Sequence, residues 1–194
     1  GDGDFYGEGG NHFLHGCRGN HDITAIIHDN SVYGLTTGQV APTAAKGYKS
    51  KSTPTGIIET PVNPLSFAIT QGATFVAQAF AGNAPHMIET MKSAFQHKGF
   101  SIVNVLQPCV TFNKINTYPY YMQKSYKLGP DYLPNDKVAA LGKALEFHQE
   151  KFPLGILYKE DRPAYHEHLP QLTDSTLVSQ DKVKDLEGLL NDFI

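Results

Sequence analysis

The chain has 194 residues, of which 40% are hydrophobic, and its formal net charge is −3. This length can bury one substantial core, and the slightly acidic balance gives no electrostatic reason to expect nucleic acid or an anionic membrane as a partner. No apolar run approaches the roughly 20 residues that span a bilayer, and two distant cysteines make a poor disulfide framework. These properties favour a cytoplasmic protein that binds neither nucleic acid nor membrane.

The chain begins with Gly-Asp-Gly, and Asp29-Asn30 follow after an interval of 25 residues. Residues 23–28 form a short apolar, β-branched run, which predicts a buried parallel strand that ends at Asp29. The segment before this strand is long enough for a helical crossover, expected at residues 9–19. Because a right-handed crossover brings parallel strand ends to one edge of a sheet, Asp2 and Asn30 should meet at the edge where open α/β sheets bind ligands.

The residues at this expected meeting point suit Mg²⁺ and a diphosphate. Asp2 and Asn30 offer side-chain oxygens, and the backbone carbonyl of Val32 could add a third protein ligand, with diphosphate oxygens and water completing the shell. Gly1 and Gly3 let the main chain approach the phosphates closely. A tight turn would explain Gly-Asp-Gly taken alone. The second half of the pattern, at this distance and after a strand, favours the magnesium site.

Farther along the chain, apolar periodicity and flanking Pro and Gly residues predict alternating helices and strands. The predicted elements are a helix at 64–73, a strand at 75–80, a helix between Pro85 and Gly99, a strand at 101–106, a helix at 136–151, a strand at 154–158, and a helix at 181–193 capped by Ser179. This alternation predicts an α/β fold with a doubly wound, mostly parallel sheet.

The helix before Gly99 is predicted from apolar residues at helical spacing. These residues are Met87, Ile88, Met91, Ala94 and Phe95. They predict an amphipathic helix whose two methionines fill the core and bind no metal.

Two stretches lack such periodicity. Residues 34–63 are rich in Gly, Thr, Ser, Pro and Lys, and they start at the proposed cofactor edge. A substrate lid, a partner contact and a mobile solvated loop all fit this composition. Residues 113–135 are rich in tyrosine, which predicts an irregular surface excursion and a candidate partner surface.

The two cysteines differ in their surroundings. Cys17 lies among helix residues and is expected to pack in the core. Cys109 comes directly after the strand at 101–106, at its carboxyl end. A buried structural thiol is the default interpretation of Cys109 from local sequence.

Several runs resemble the β subunit of 2-oxoacid:ferredoxin oxidoreductases of the 2-oxoglutarate type. In that family, Gly-Asp-Gly and a later Asn-Asn or Asp-Asn form the thiamine diphosphate motif. The matching runs, in chain order, are residues 1–4, 9–12, 29–39, 107–113, 153–158 and 162–163. They cover nearly the whole chain in the right order, so chance is a poor explanation.

The resemblance implies a thiamine diphosphate site and a magnesium site that share residues. Mg²⁺ would be held by Asp2, Asn30 and the carbonyl of Val32. The implied cofactor-binding residues are Gly1, Asp2, Gly3, Asp4, Asn30, Val32, Gly34 and Leu35. The substrate-side candidates are His12, Thr36 and Thr37. None of these three is assigned as a catalytic residue.

The resemblance also implies that Cys109 is one of four cysteine ligands of a [4Fe-4S] cluster. The family's other three cluster cysteines lie upstream of Gly-Asp-Gly, and a strand should precede Gly1. We therefore expect residues 1–194 to be the C-terminal portion of a thiamine diphosphate-binding domain, N-terminally truncated and with a C-terminal helical extension. We expect this isolated chain to be inactive and to bind Mg²⁺ weakly. Some members carry a lysine at the position of Thr37, so a 2-oxoglutarate preference is in doubt.

The activity implied by the resemblance is oxidative decarboxylation of a 2-oxoacid to acyl-coenzyme A, with electrons passed to ferredoxin. The implied partners are an α subunit of the same oxidoreductase, ferredoxin, the 2-oxoacid and coenzyme A. One alternative is a cluster-free thiamine diphosphate enzyme of the acetolactate synthase or decarboxylase type. The other is a non-enzymatic diphosphate-binding module.

Overall fold

A five-stranded sheet forms the centre of the protein. The computed structural model describes residues 1–180, 188, 190 and 191. The strands are β1 (Thr24–Asp29), β2 (Val32–Tyr33), β3 (Gln39–Val40), β4 (Phe75–Phe80), β5 (Ser101–Leu106), β6 (Ser125–Lys127) and β7 (Phe152–Lys159). The sheet has the order β1-β5-β4-β7-β6, and β2 and β3 pair separately as an antiparallel hairpin.

The direction of the strands confirms the predicted α/β architecture. Strands β1, β5 and β4 run parallel, β7 runs antiparallel to β4, and β6 runs parallel to β7. Strands β4 and β5 are buried along their whole length. Their mostly apolar character is what a sheet covered on both faces requires. The predicted strands at 75–80 and 101–106 are confirmed at both ends.

Within residues 1–180, five α-helices accompany the sheet, and a wide π-type helical turn, Gly3–Glu8, precedes the first of them. They are α1 (Gly10–Gly19), α2 (Pro64–Gln71), α3 (Ala84–Gln96), α4 (Tyr118–Lys124) and α5 (Lys137–Leu145). In α2, α3 and α4 a capping side chain accepts a backbone N–H and a proline occupies the first turn. The capping residues are Asn63, Asn83 and Thr117. This combination satisfies free N–H groups where a helix begins.

The helices cover both faces of the sheet, so the fold is doubly wound as predicted. On one face α1, α2 and α5 pack against Ile27, Val76, Ile102 and Leu157. On the other face α3 packs against Phe75, Ala77, Val103 and Val105. Cys17 belongs to the first core and is fully buried, as expected. Met87 and Met91 pack against the second core, which confirms their role as core residues.

The predicted inner face of α3 was partly wrong. Ile88 is 48% exposed and Phe95 is 64% exposed, whereas Thr90 and Ala94 are buried. Helical spacing identified the helix, but the stripe that contacts the sheet runs through Met87, Met91 and Ala94 and leaves the flanking apolar side chains in solvent.

The irregular excursion predicted for residues 113–135 was wrong, because this stretch contains α4 and β6. Thr117 and Pro119 start α4, and Tyr121 is buried against Phe80 and Phe152. The tyrosines that suggested a partner surface include residues of this packed cluster.

Two further helix predictions differ in outcome. The helix predicted at 136–151 ends at Leu145 and continues as a 3₁₀ turn, Glu146–Gln149. It stops because Glu150 adopts a left-handed conformation, φ 53°, immediately before β7. The helix predicted at 181–193 lies outside the described residues, and Ser179 lies in a short 3₁₀ turn, Leu177–Ser179. Within the described part of the chain, each helix is too short or too polar to cross a bilayer.

Asn20 connects several chain segments by hydrogen bonds at the end of the sheet opposite the proposed site. Its side chain is buried and accepts hydrogen bonds from Phe100 N at 2.9 Å and Thr74 Oγ1 at 2.7 Å, and it donates to Pro163 O at 2.9 Å. Its backbone is left-handed, with φ 50°, which Asn tolerates better than most residues. One amide therefore joins the end of α1, the start of β5 and the segment after β7.

We expect Asn20→Ala to destabilise the chain by about 2–4 kcal/mol, because it leaves a buried N–H and a buried hydroxyl without their acceptor. Urea unfolding followed by circular dichroism measures the change. The matched control is Asn135→Ala at an exposed position, expected to stay within about 0.5 kcal/mol of the parent. Equal midpoints for the two variants would contradict this role of Asn20.

Candidate magnesium and diphosphate site

Asp2 lies at the carboxyl edge of the sheet, beside the loop that follows β1. Its side chain is 1% exposed. Oδ2 of Asp2 accepts hydrogen bonds from Ser31 N at 2.9 Å and from Thr43 Oγ1 at 2.5 Å. The structure therefore brings Asp2 next to the residue that follows Asn30.

Asn30 and Val32 form a tight turn at this edge. The Asn30 side-chain oxygen accepts a hydrogen bond from Val32 N at 3.1 Å. An amide oxygen has two lone pairs, so this bond leaves one available for a cation. Ser31, between them, has a left-handed backbone with φ 61°, which turns its N–H toward Asp2. The assignment of Asp2, Asn30 and Val32 as magnesium ligands stays a prediction.

Asp29, the last residue of β1, is a second buried carboxylate beside Asp2. It is 2% exposed, and its Oδ2 accepts a hydrogen bond from Asn104 Nδ2 at 3.1 Å. Burial, and after it the neighbouring Asp2 carboxylate, raise the pKa of Asp29 to about 7, although hydrogen bonds with Asn104 and Thr43 oppose the shift.

The two carboxylates have unsatisfied oxygens that fit a cation. Oδ1 of Asp2 and Oδ1 of Asp29 are buried without a hydrogen-bond partner. Within residues 1–180 no lysine, arginine or histidine forms an ion pair with either side chain. A buried charge needs a partner of opposite sign. Hard oxygen donors that lack any protein cation match the requirements of Mg²⁺.

Gly3 is required by the packing of the hairpin β2–β3. A Cβ atom at Gly3 would lie 2.4 Å from Cε1 of Tyr33, too close for any side chain. The Tyr33 hydroxyl donates to Gly3 O at 3.2 Å and contacts Glu8. The hairpin therefore sits directly on the Gly-Asp-Gly segment, and the glycine makes this close approach possible.

The hairpin tip carries four of the predicted residues, Gly34, Leu35, Thr36 and Thr37. Leu35 is 98% exposed. Thr37 has φ 75°, a strained conformation for a β-branched residue. Thr36 donates to the Gln39 side chain at 2.5 Å. The cofactor and substrate roles of these four residues stay predictions.

The remaining predicted residues are exposed. Asp4 lies on the π-type turn, and its carboxylate accepts a hydrogen bond from the Gly1 amino group at 3.3 Å. His12 lies on the exposed side of α1. Within the described residues, no group of three His, Cys, Asp or Glu side chains is arranged to hold a metal ion. The candidate site differs from such a group, because it contains two carboxylates together with an amide oxygen and a backbone carbonyl.

Cys109 lies in the loop after β5, half-buried against the hairpin side of the site. It packs with Val32, Ala44 and Tyr48. Its loop contacts the turn that carries the predicted magnesium ligands, because Asn113 Nδ2 donates to Asn30 O at 3.0 Å. A hydrogen bond from Asn113, four residues after the predicted cluster ligand, therefore connects the Cys109 loop to this turn.

The sequence analysis did not identify several polar residues at this edge as site residues. They are Tyr6, Asp29 as a charged group, Ser31, Thr43, Gln78, Asn104 and Asn113. Asn104 and Gln78 each interrupt an otherwise apolar strand, a signal that could have identified them. Thr43 lies in a stretch without periodicity, and nothing in the sequence links it to Asp2.

The fold is that of a thiamine diphosphate-binding domain. Residues 1–105 match the family described as thiamine pyrophosphate enzyme, C-terminal TPP binding domain. Residues 109–174 match the family described as the C-terminal part of the pyruvate ferredoxin oxidoreductase β subunit. Cys109 is the first residue of the second match.

Curated relatives are similar along most of the chain. A 2-oxoacid:ferredoxin oxidoreductase subunit β of Sulfolobus sp is 41% identical over 210 aligned positions, covering 100% of this chain and 68% of the relative. A subunit of the same name from Saccharolobus solfataricus is 41% identical over 86% of this chain and 58% of its own. The 2-oxoglutarate synthase subunit KorB of Archaeoglobus fulgidus is 47% identical over 59% of this chain and 43% of its own.

A solved structure is also similar. It is the 2-oxoglutarate:ferredoxin oxidoreductase from Magnetococcus marinus with 2-oxoglutarate, coenzyme A and succinyl-CoA bound. The TM-score is 0.87 at 36% identity, and the match covers 99% of this chain and 65% of that one. The chain belongs to the family of 2-oxoacid:ferredoxin oxidoreductase β subunits. It spans 58–68% of the length of the first two curated relatives.

The two thiols are expected to differ in reactivity, because burial raises the pKa of the Cys17 thiol to about 12 whereas Cys109 is half-exposed. At pH 8 in the cluster-free chain, a chromogenic disulfide reagent should label one thiol rapidly and the second only after denaturation. Cys109→Ser should abolish the rapid phase and keep the slow one. Two rapid thiols, or a rapid thiol that survives in Cys109→Ser, would contradict this assignment.

Proposed function

We propose that this chain is the thiamine diphosphate- and magnesium-binding part of the β subunit of a 2-oxoacid:ferredoxin oxidoreductase. The reaction is the oxidative decarboxylation of a 2-oxoacid to acyl-coenzyme A, with electrons passed to ferredoxin. The observation that carries the proposal is the buried pair of carboxylates at the carboxyl edge of the sheet, each with an oxygen that lacks a partner. Bound thiamine diphosphate supplies the carbon nucleophile for decarboxylation.

The chain's own residues bind and orient the cofactor. Asp2, Asn30 and the carbonyl of Val32 hold Mg²⁺, and Ser31 and Thr43 fix the Asp2 carboxylate. Gly1, Gly3 and Asp4, together with Gly34 and Leu35 of the hairpin, line the cofactor. None of these residues needs to act as a general base. The rest of the site comes from an α subunit, so the isolated chain is inactive.

Cys109 contributes one thiolate to a [4Fe-4S] cluster in the full-length β subunit. The hydrogen bond from Asn113 to the Asn30 carbonyl supports this placement, because it holds the Cys109 loop against the cofactor turn. The match of residues 109–174 to a ferredoxin oxidoreductase family also supports it. A cluster-free enzyme of the acetolactate synthase type would need neither feature.

The substrate is a 2-oxoacid, and the partners are the α subunit, ferredoxin and coenzyme A, in the cytoplasm. His12, Thr36 and Thr37 are substrate-side candidates. Where some family members have a lysine, Thr37 offers no positive charge to a second substrate carboxylate. Thr37 therefore gives no reason to expect a preference for 2-oxoglutarate.

The cofactor assignment is tested with the complete α–β complex after removal of metal and cofactor. Ferredoxin reduction, dependent on coenzyme A and a 2-oxoacid, should return only when thiamine diphosphate and Mg²⁺ are both added. Asp2→Asn should lower the restored rate by about 100-fold, because it removes a charged ligand. Asp131→Asn, an exposed carboxylate, should restore fully. Recovery without thiamine diphosphate would overturn the proposal.

The cluster assignment is tested by the iron and acid-labile sulfide content of the same complex. Cys109→Ser should lower the cluster content clearly, because serine is a poor ligand for an iron–sulfur cluster. Cys17→Ala, which removes a core thiol, should leave the content unchanged. An iron-free parent complex would favour the cluster-free type of enzyme, and a Cys109→Ser complex with full iron would exclude Cys109 as a ligand.

A further inference from the structure

A cavity lies at the amino end of the sheet, away from the candidate magnesium site. It has a volume of about 500 Å³, and Asn20 is in its lining. Because Asn20 bonds to Phe100 and Thr74, the residues just before β5 and β4, the cavity is at the opposite end of the strands from Asp2. Sites for small molecules have volumes of about 300–1,000 Å³, so this cavity can hold one.

The cavity concentrates cationic and donor side chains. The chain has two arginines, Arg18 and Arg162, and both line it. His15, His21 and His168 line it as well, whereas its lining, among the described residues, includes no aspartate or glutamate. An arginine presents planar N–H donors that match the oxygens of a phosphate, so this composition favours an anion.

The acidic side chains closest to these arginines in sequence are engaged elsewhere. Asp22 pairs with Lys98 at 3.5 Å, and Glu167 accepts a hydrogen bond from a backbone N–H at 2.7 Å. Asp161 lines a neighbouring cavity. Within residues 1–180 neither arginine forms an ion pair. The charge of both guanidinium groups is therefore left for a ligand.

The ends of two helices explain only part of this arrangement. Arg162 Nη2 donates to Gly72 O at 2.6 Å, just beyond α2. Arg18 lies in the last turn of α1, where a positive charge is favourable, and its guanidinium contacts His15 Nδ1 at 3.4 Å. A guanidinium has five N–H donors, so each arginine keeps donors for a ligand.

Asn20 holds one side of the cavity in place. Its side chain donates to Arg162 O at 3.3 Å and to Pro163 O at 2.9 Å, and its carbonyl oxygen accepts from Tyr165 N at 3.0 Å. These three hydrogen bonds fix residues 162–165 against the end of α1. The cavity is therefore formed before a ligand enters, which lowers the entropy cost of binding.

An aromatic pair forms one wall beside the arginines. The rings of His21 and Tyr165 have centroids 4.5 Å apart and an interplanar angle of 37°. Gly19 makes room for the His21 ring, because a Cβ atom there would lie 2.7 Å from His21 Nε2. Tyr165 is 48% exposed, so this wall can accept another flat ring. Nucleic-acid bases stack on aromatic side chains of this kind.

We propose that this cavity binds a nucleoside monophosphate. The guanidinium groups of Arg18 and Arg162 bind its phosphate through charge-assisted hydrogen bonds. The base stacks on the pair formed by His21 and Tyr165. The site shares no residue with the proposed magnesium and cofactor site, so the inference goes beyond the proposed function.

The experiment uses the complete α–β complex, saturated with thiamine diphosphate and Mg²⁺ so that the diphosphate site is filled. AMP is the probe, and equilibrium dialysis measures its dissociation constant without turnover. Arg18→Gln should raise this constant about 10-fold, because it removes a charged donor to the phosphate. Tyr165→Ala should raise it about 5-fold, because it removes a stacking surface. Lys92→Gln, which removes an exposed positive charge on α3, should bind AMP as the parent does.

Each contrary result overturns a stated part of the proposal. A parent complex that binds no AMP would overturn the site and favour an acidic protein segment as the partner of the arginines. Equal affinity of the parent and Arg18→Gln, or equal losses in Arg18→Gln and Lys92→Gln, would show that AMP binds elsewhere or without specificity. An unchanged affinity in Tyr165→Ala would overturn the stacking of the base.

Arg18→Lys provides a second variant if Arg18→Gln does not fold. It keeps the positive charge at the end of α1 but loses the planar pair of donors. It should therefore melt at the same temperature as the parent and bind AMP more weakly. An Arg18→Lys complex with the affinity of the parent would contradict recognition of the phosphate by the guanidinium group.

Discussion

Two carboxylates that lie side by side in the interior, with no ion-pair partner among residues 1–180, constrain the whole carboxyl edge of this sheet. Each has one oxygen held by hydrogen bonds and one oxygen left free. Burial penalises the charged form of a carboxylate, and a second carboxylate increases the penalty. Because burying the charged form of Asp29 is unfavourable, its carboxylate binds a proton more readily, and its pKa is raised to about 7. A divalent cation relieves the same cost more completely.

The fold supports this edge at the expense of local backbone strain. Ser31 and Thr37 adopt left-handed conformations, which cost about 1–3 kcal/mol each for residues with a side chain. Ser31 gains an N–H bond to Asp2 in return. Both residues belong to the segment that turns from β1 into the hairpin β2–β3, and this hairpin rests on Gly3 through Tyr33. Two of the four non-glycine residues with a left-handed backbone in the described part of the chain therefore lie in this segment.

The sequence predicted the parts of the molecule that depend on short-range patterns. The strands β4 and β5 are mostly apolar runs, and Pro85 and Gly99 mark the two ends of α3. Helix α4 was missed because its tyrosines suggested a surface, although Thr117 and Pro119 carry the same start signal. Thr43 could not be predicted, because a hydroxyl 41 positions from Asp2 becomes its partner only through the path of an irregular loop. The sequence correctly predicted that a strand ends at Asp29. The burial of its carboxylate beside that of Asp2 became visible only in the structure.

The position of Cys109 links the two families that the chain matches. The first match ends at residue 105, within β5, and the second starts at Cys109. At this junction Asn113 reaches back to the carbonyl of Asn30, and Cys109 packs on Val32. A displacement of the Cys109 loop would therefore act on the turn that carries two of the proposed magnesium ligands. If Cys109 binds a cluster as proposed, cluster assembly and cofactor binding share one set of contacts, and loss of either should loosen the other.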